Sequence, residues 1–184
     1  MQRPEGYTLL ELLICLTVMG ILLTLAIPSF NELLDKAKAD EVRQSLFHMM
    51  QFSRQAAINK NRTITVCQIK DINKGECVLD LHWQYPYYIF IDGNGNQILD
   101  HSAEGKTPGE ILLRQYPAVT ARGDLYTTRK YFTFSAPGTT RHSGSLTYCP
   151  PQQNSNASRI FVMHSGRVRY AKPSEIKCTE QKLS

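Results

Sequence analysis

The sequence predicts an α+β protein: a long N-terminal helix, first transmembrane and then amphipathic, packed on a mostly antiparallel β-sheet. Three observations predict it. An apolar run from Tyr7 to Ile27 carries one charge, Glu11. From Phe30 to Ala56 apolar residues recur at three- and four-residue steps among charged ones, the period of an amphipathic helix. After Asn61 the pattern becomes short β-rich runs separated by Gly, Pro, Asn and Ser. The 184 residues thus divide into a leader (1–6), a spanning helix (7–28), its amphipathic half (29–60) and a globular β-sheet domain with a basic C-terminal region (61–184).

The leader holds one Arg, has an acid before Gly6, and is followed by no small-x-small cleavage site, so it is not an ordinary secretory signal. The 21 residues from Tyr7 to Ile27 would extend about 30 Å as a helix, the thickness of a bilayer core. Glu11 stands out there, because a charge in mid-span costs about 2.5 to 3.5 kcal/mol on insertion scales. It either has a partner or snorkels to the headgroups. Pro28 cannot bond the Thr24 carbonyl, which predicts a kink or a loosened turn but not an end. The helix should stop at Asn59-Lys60-Asn61. Strands are predicted over Thr63–Gln68, Val78–Trp83, Tyr87–Ile91, Ile111–Tyr116, Tyr131–Phe134, Ser145–Cys149, Ile160–His164 and Val168–Ala171, with a hairpin turn at Ser165-Gly166. Their apolar face should pack on residues 30–58 as a helix-on-sheet layer.

Charge and cysteines narrow the setting. From Arg114 onward there are 11 Lys and Arg against 3 Asp and Glu, whereas Ser29 to Leu113 has 9 against 11, so the basic excess lies entirely in the C-terminal third. That asymmetry points to an anionic partner, nucleic acid or lipid headgroup. Cys15 lies in the apolar run, while Cys67, Cys77, Cys149 and Cys178 match no zinc spacing. Four cysteines allow three pairings. Cys67 with Cys77 and Cys149 with Cys178 is favoured because each closes a short loop, and disulfides imply an oxidising compartment such as a periplasm.

Gly6 followed by an aromatic residue and Thr8-Leu9-Leu10-Glu11-Leu12, then an apolar helix with Gly20 and Pro28, resembles the class III signal of type IV pilins and pseudopilins. The resemblance implies that a prepilin peptidase cuts after Gly6 and methylates the new N-terminus at Tyr7. It also implies that Glu11 neutralises the α-amine of a neighbouring subunit during assembly into a filament. Such a protein would sit in the inner membrane as a single-pass protein with a periplasmic C-terminal domain, and join a pilus of other pilin subunits after assembly. Phe134-Ser135-Ala136-Pro137-Gly138, Leu146-Thr147-Tyr148-Cys149, Arg159-Ile160-Phe161-Val162 and Gly166-Arg167-Val168-Arg169 follow the order of features in the GspH/FimT family of minor pilins. The Gly-Arg-x-Arg ending is most similar to the FimT branch, which implies DNA binding during natural transformation. The GspH branch implies a structural role in a type II secretion pseudopilus instead.

The residues themselves offer one strong site. Arg167 and Arg169, one residue apart, point to one face of a strand about 7 Å from each other, near the repeat of a nucleic-acid backbone. With Arg141, Arg159, Lys172 and Lys177 they form a candidate patch for the phosphates of double-stranded DNA, set against the plainer reading of a solvated basic face. A Cys149–Cys178 bridge would pin the tail beside the hairpin. Asp92-Gly93-Asn94-Gly95-Asn96 with Asp100 is a partial calcium-loop pattern, but Gln97 and Ala103 stand where Gly and Glu are needed, so a turn explains it better. Trp83, Tyr85, Tyr87 and Tyr88 suit a core better than a base-stacking platform. No nucleophile and base arrangement emerges at His142-Ser143 or His164-Ser165, and His48 and His82 have no metal spacing. No enzyme activity, cofactor or metal site is expected.

Overall fold

The structure is a computed structural model. It describes residues 8–100, 110–119, 123–150 and 156–178, with the backbone alone at 23–29 and 31–32. Gly6 and Tyr7 therefore lie outside the described residues, as does the side chain of Pro28. The chain divides into two units, one ending at Lys38 and the other starting at Ala39, and helix α1 (Leu9–Lys60) contributes to both.

In the first unit, Thr8 starts the helix. Its hydroxyl accepts the Glu11 N–H at 3.3 Å and its carbonyl accepts the N–H groups of Glu11 and Leu12. This is the N-cap half of a Thr-x-x-Glu capping box, which satisfies an otherwise orphaned helix donor. Helix geometry continues through position 28, so Pro28 ends nothing. The described part of the apolar run, Thr8–Leu22, is exposed throughout. Among the described residues no helix is long and apolar enough to cross a membrane, and Tyr7 and the side chains of 23–27, which complete the expected span, lie outside them.

In the second unit the rest of α1 buries Ala39, Val42, Leu46, Met49, Met50, Ser53, Ala56 and Ala57 at three- and four-residue steps, whereas Phe30, Leu33, Leu34 and Ala37, expected on the same stripe, are exposed. The helix closes with Asn61 at φ +51°, where the Arg62 N–H donates to the Ala57 carbonyl and the Asn61 N–H to that of Ile58. Those two bonds are a Schellman cap, with Asn in the left-handed position usually taken by Gly.

The strands form two four-stranded sheets, where the sequence pattern predicts one. Strands β1 (Ile64–Gln68), β2 (Tyr87–Ile91), β3 (Leu112–Tyr116) and β5 (Tyr131–Phe134) make the first, in the order β3-β2-β1-β5. Strands β4 (Asp124–Thr127), β6 (Gly144–Cys149), β7 (Ser158–Val162) and β8 (Val168–Tyr170) make the second, in the order β4-β6-β7-β8. All the pairings are antiparallel. Ile64, Val66, Ile89, Ile91, Phe132 and Phe134 from the first sheet join Leu125, Leu146, Tyr148, Ile160, Val162 and Val168 from the second and the α1 stripe in one core. Each large side chain fully buried there contributes about 1.5 to 3 kcal/mol.

Strands β1 and β2 are buried on both faces. Their second face, with Cys67, Tyr88 and Phe90, is covered by the excursions that follow β1 and β2, which supply Ile69 and Leu99 to a smaller cluster. Cys67 and Cys77 are bridged there, with Cα atoms 5.7 Å apart. Between β1 and β2 the expected strand Val78–Trp83 does not form. The reason is Gln68: its buried amide donates to the Asp80 and His82 carbonyls, and its carbonyl accepts the N–H groups of Gln84 and Tyr85. That side chain takes two of the segment's carbonyls, and the rest of the pairing shrinks to one antiparallel bridge, His82 to Tyr126 of β4, flanked by the Trp83 N–H donating to the Leu125 carbonyl and the Thr127 N–H to the Leu81 carbonyl. Strand β4, which the pattern does not predict, pairs with β6 on its other edge.

Candidate nucleic-acid interface

The site begins with the β7–β8 hairpin. Its turn brings the Gly166 N–H to the Met163 carbonyl at 2.8 Å and the Met163 N–H to the Arg167 carbonyl at 2.9 Å, with Gly166 at φ +71°. A three-residue loop with its last residue left-handed needs Gly. The need is doubled here, because a Cβ on Gly166 would run into the Gly138 carbonyl. The register Phe161↔Arg169 and Val162↔Val168 then fixes the faces. Ile160, Val162 and Val168 turn into the core, while Arg159, Phe161 and Arg169 share the outer face of the sheet.

The six basic residues expected from the sequence fall into three situations. Arg167, at the turn, is exposed and its guanidinium has no hydrogen-bond or ion-pair partner among the described residues; the same holds for the guanidinium of Arg141. The loop carrying Arg141 lies against the hairpin turn, because the Thr140 N–H donates to the His164 carbonyl at 2.9 Å. Arg159 and Arg169 are engaged within the fold. Arg159 donates to the Ser145 hydroxyl through Nε and Nη2 (3.1 and 2.9 Å) and to the Glu175 carbonyl through Nη1 (3.2 Å). Arg169 grips the Glu175 carboxylate through Nη1 and Nη2 at 2.9 and 3.0 Å, and donates through Nη1 to the Tyr170 carbonyl. Both guanidiniums lie over the Phe161 ring, at 5.0 and 4.3 Å from its centroid. Lys172 and Lys177 are exposed on the segment that follows β8, where Pro173–Glu175 form a short 3-10 turn and Cys178 is bridged to Cys149 with Cα atoms 5.8 Å apart. The hydrogen bonds from Arg169 hold the Glu175 carboxyl well below the usual carboxylate range, at about 2, and raise the Arg169 guanidinium above its ordinary value.

Other residues join this region that no sequence pattern singles out. Arg54, on α1, donates through Nε to the Gly138 carbonyl at 3.1 Å, beneath the β7–β8 turn. Arg129 donates to the Ser143 carbonyl at 2.9 Å, and Ser143 Oγ lies 3.2 Å from His164 Nε2. Adjacent residues in sequence point apart, so the Ser143–His164 pair comes from two loops and could not be read from either His-Ser dipeptide. Among the described residues no carboxylate bonds to the other nitrogen of His164, so the pair lacks the third group that orients a catalytic base.

The remaining motifs resolve simply. Asp92 is buried, and its carboxylate accepts the Thr65 hydroxyl and the N–H groups of Gly95 and Gln97, so the Asp92–Asn96 loop is a turn organised by its own first residue. Among the described residues no group of three His, Cys, Asp or Glu side chains could hold a metal ion. Trp83 and Tyr87 belong to the main core and Tyr88 to the smaller cluster. Burial pushes the Tyr87 phenol up to about 12, partly offset by the Val119 N–H that donates to it.

Residues 43–166 match the family described as type II transport protein GspH, and residues 1–27 match the prokaryotic N-terminal methylation motif. No curated protein sequence matches the chain. The fold is similar to that of the Pseudomonas aeruginosa type IV minor pilin FimU in two crystal forms. In one, the identity is 19%, the match covers 83% of this chain and 97% of FimU, and the TM-score is 0.52. In the other the figures are 18%, 77%, 96% and 0.50. The minor pseudopilin EpsH of the Vibrio cholerae type 2 secretion system also matches, at 13% identity over 75% of this chain and 99% of EpsH, with a TM-score of 0.46. Since the first family match spans well over half of the sequence and the second falls on the Gly6–Glu11 signal, the chain belongs to the GspH family of type IV minor pilins and pseudopilins.

Proposed function

We propose that this minor pilin binds double-stranded DNA without sequence preference through its basic outer face, as the FimT-like Gly166-Arg167-Val168-Arg169 ending implies, and serves DNA uptake in natural transformation. The observation that carries the reading is the contact between the loop of Arg141 and the hairpin turn of Arg167, made by the Thr140 N–H and the His164 carbonyl, with both arginines exposed and without a carboxylate partner among the described residues. Lys172 and Lys177 add exposed cations on the segment that follows β8. Such contacts go to phosphates and displace counterions. In gel shifts of the full chain in detergent against a random duplex, four such contacts predict about a hundredfold loss of affinity between 50 and 200 mM salt. An absence of any shift at 50 mM salt would overturn the reading.

The N-terminal end serves assembly. Cleavage after Gly6 leaves an α-amine on Tyr7, and Glu11, one helical turn on, pairs with the amine of a neighbouring subunit once both leave lipid. Prepilin peptidase and other pilin subunits are the partners this implies. Before assembly the chain is anchored in the inner membrane with the β-sheet domain in the periplasm, a compartment that suits the two disulfides. Glu11→Ala should leave membrane insertion intact and abolish incorporation into filaments; normal incorporation would count against this role.

A second reading, a purely structural pseudopilin of type II secretion, is favoured by the description of the matched family. The salt-dependent gel shift separates the two, since a structural subunit has no need of the basic face.

A further inference from the structure

Only three acidic residues, Asp124, Glu175 and Glu180, lie beyond Leu113, against eleven Lys and Arg. One of them sits in the middle of the basic face. Glu175 accepts both Nη donors of Arg169 and the Lys172 backbone N–H (2.8 Å), while its carbonyl accepts Arg159 Nη1. A two-oxygen anion held by a guanidinium fork and a backbone N–H is also how a phosphate is held. The 3-10 turn that carries Glu175 buries no residue. It is tied at one end to β8 and at the other, through Cys178, to Cys149 on β6. Its middle is therefore held to the sheet by polar contacts, and most of these converge on Glu175.

We propose that Lys172–Cys178 is an autoinhibitory strap in which the Glu175 carboxylate occupies the anion position on Arg169, and that a nucleic-acid phosphate binds there by displacing it. The inference rests on the reading of this face as polyanion-binding. Arg169 has donors to spare: its Nη1–Nη2 end is taken by Glu175, and the Nε–Nη2 edge is free among the described residues. A phosphate can engage that edge first and then exchange with the carboxylate. The Cys149–Cys178 bridge keeps the lifted strap close, so Lys172 and Lys177 remain beside the ligand. Because the Glu175 carboxyl is held at about 2, it stays ionised at any physiological pH. The strap is opened by a competing anion and not by acid.

The test compares the full chain in detergent with Glu175→Gln, Glu175→Ala and Asp124→Asn. The last removes the same charge from β4 of the same sheet without touching Arg169. The alanine variant guards against a Gln amide that still accepts from Arg169. Each is titrated with a random 30-base-pair duplex and with inorganic tripolyphosphate at 0.1 M salt. Gaining one phosphate contact predicts about eightfold tighter duplex binding for Glu175→Ala and a salt slope steeper by about 0.9, against about twofold or less for Asp124→Asn. Equal tripolyphosphate affinities in the Glu175 and Asp124 variants would overturn the strap whatever the duplex does. Duplex binding by none of the proteins, with tripolyphosphate affinity raised only in the Glu175 variants, would remove the DNA reading and leave the strap standing.

Discussion

Glu175 and Arg169 show how much a single pair organises at the residue scale. With its folded pKa depressed to about 2 from 4.5, Glu175 contributes to stability that is complete above its unfolded pKa and is lost as pH falls toward the folded value. An NMR titration of the Glu175 carboxyl carbon should therefore give a midpoint near 2, returning toward the ordinary value in Arg169→Gln. Tyr87 has the opposite sign: its raised phenol favours the protonated fold, and that stability is lost only as pH rises from about 10 through about 12. Gly166→Ala should cost about 1 to 3 kcal/mol in chemical denaturation, because φ +71° and the Gly138 carbonyl both oppose a Cβ. At this scale the alternation of Arg167 and Arg169 is legible in the sequence. The neutralisation of Arg169 is not, because a residue six positions on reaches it only through a strand end and a 3-10 turn.

The elements were legible where one period dominates. Strands β2 and β5 fall on the predicted bounds, and the end of α1 is signalled by Asn61, whose left-handed backbone makes the cap. Val78–Trp83 misleads because its alternation is real but its pairing is reduced to a single bridge with β4, two of its carbonyls being taken by the Gln68 amide, a long-range partner that no local window contains. Strand β4 hides for the opposite reason: Asp124-Leu125-Tyr126-Thr127 is four residues long and lies among charges. Nor does strand order follow from periodicity, which is why one sheet is predicted where two form. Met49→Ala, on the buried stripe of α1, should cost about 2 to 5 kcal/mol by thermal or denaturant melting, since the helix and both sheets meet in that core. Removing the Cys67–Cys77 bridge should cost about 2 to 4 kcal/mol and loosen the cover over β1 and β2 first, visible as faster amide exchange there.

Across the whole molecule the proposed reading gives the two ends different tasks. The match to the methylation motif covers residues 1–27 and the GspH match covers residues 43–166. The sequence reveals this division through its charge, which is basic only beyond Leu113. It cannot reveal which cations remain unpaired, because that depends on Ser145, Glu175 and the disulfide meeting across the second sheet. Of the six expected residues, Arg159 and Arg169 spend most of their donors inside the fold, leaving Arg141, Arg167, Lys172 and Lys177 exposed, Arg167 at the hairpin turn and Arg141 on the loop against it. The most direct test of the basic face is the slope of log affinity against log salt for random duplex DNA, measured on the full chain and on the Arg141→Gln, Arg167→Gln double variant. If the face binds phosphates as proposed, the slope falls by about 1.8 and affinity drops for every sequence alike. An unchanged slope would contradict it.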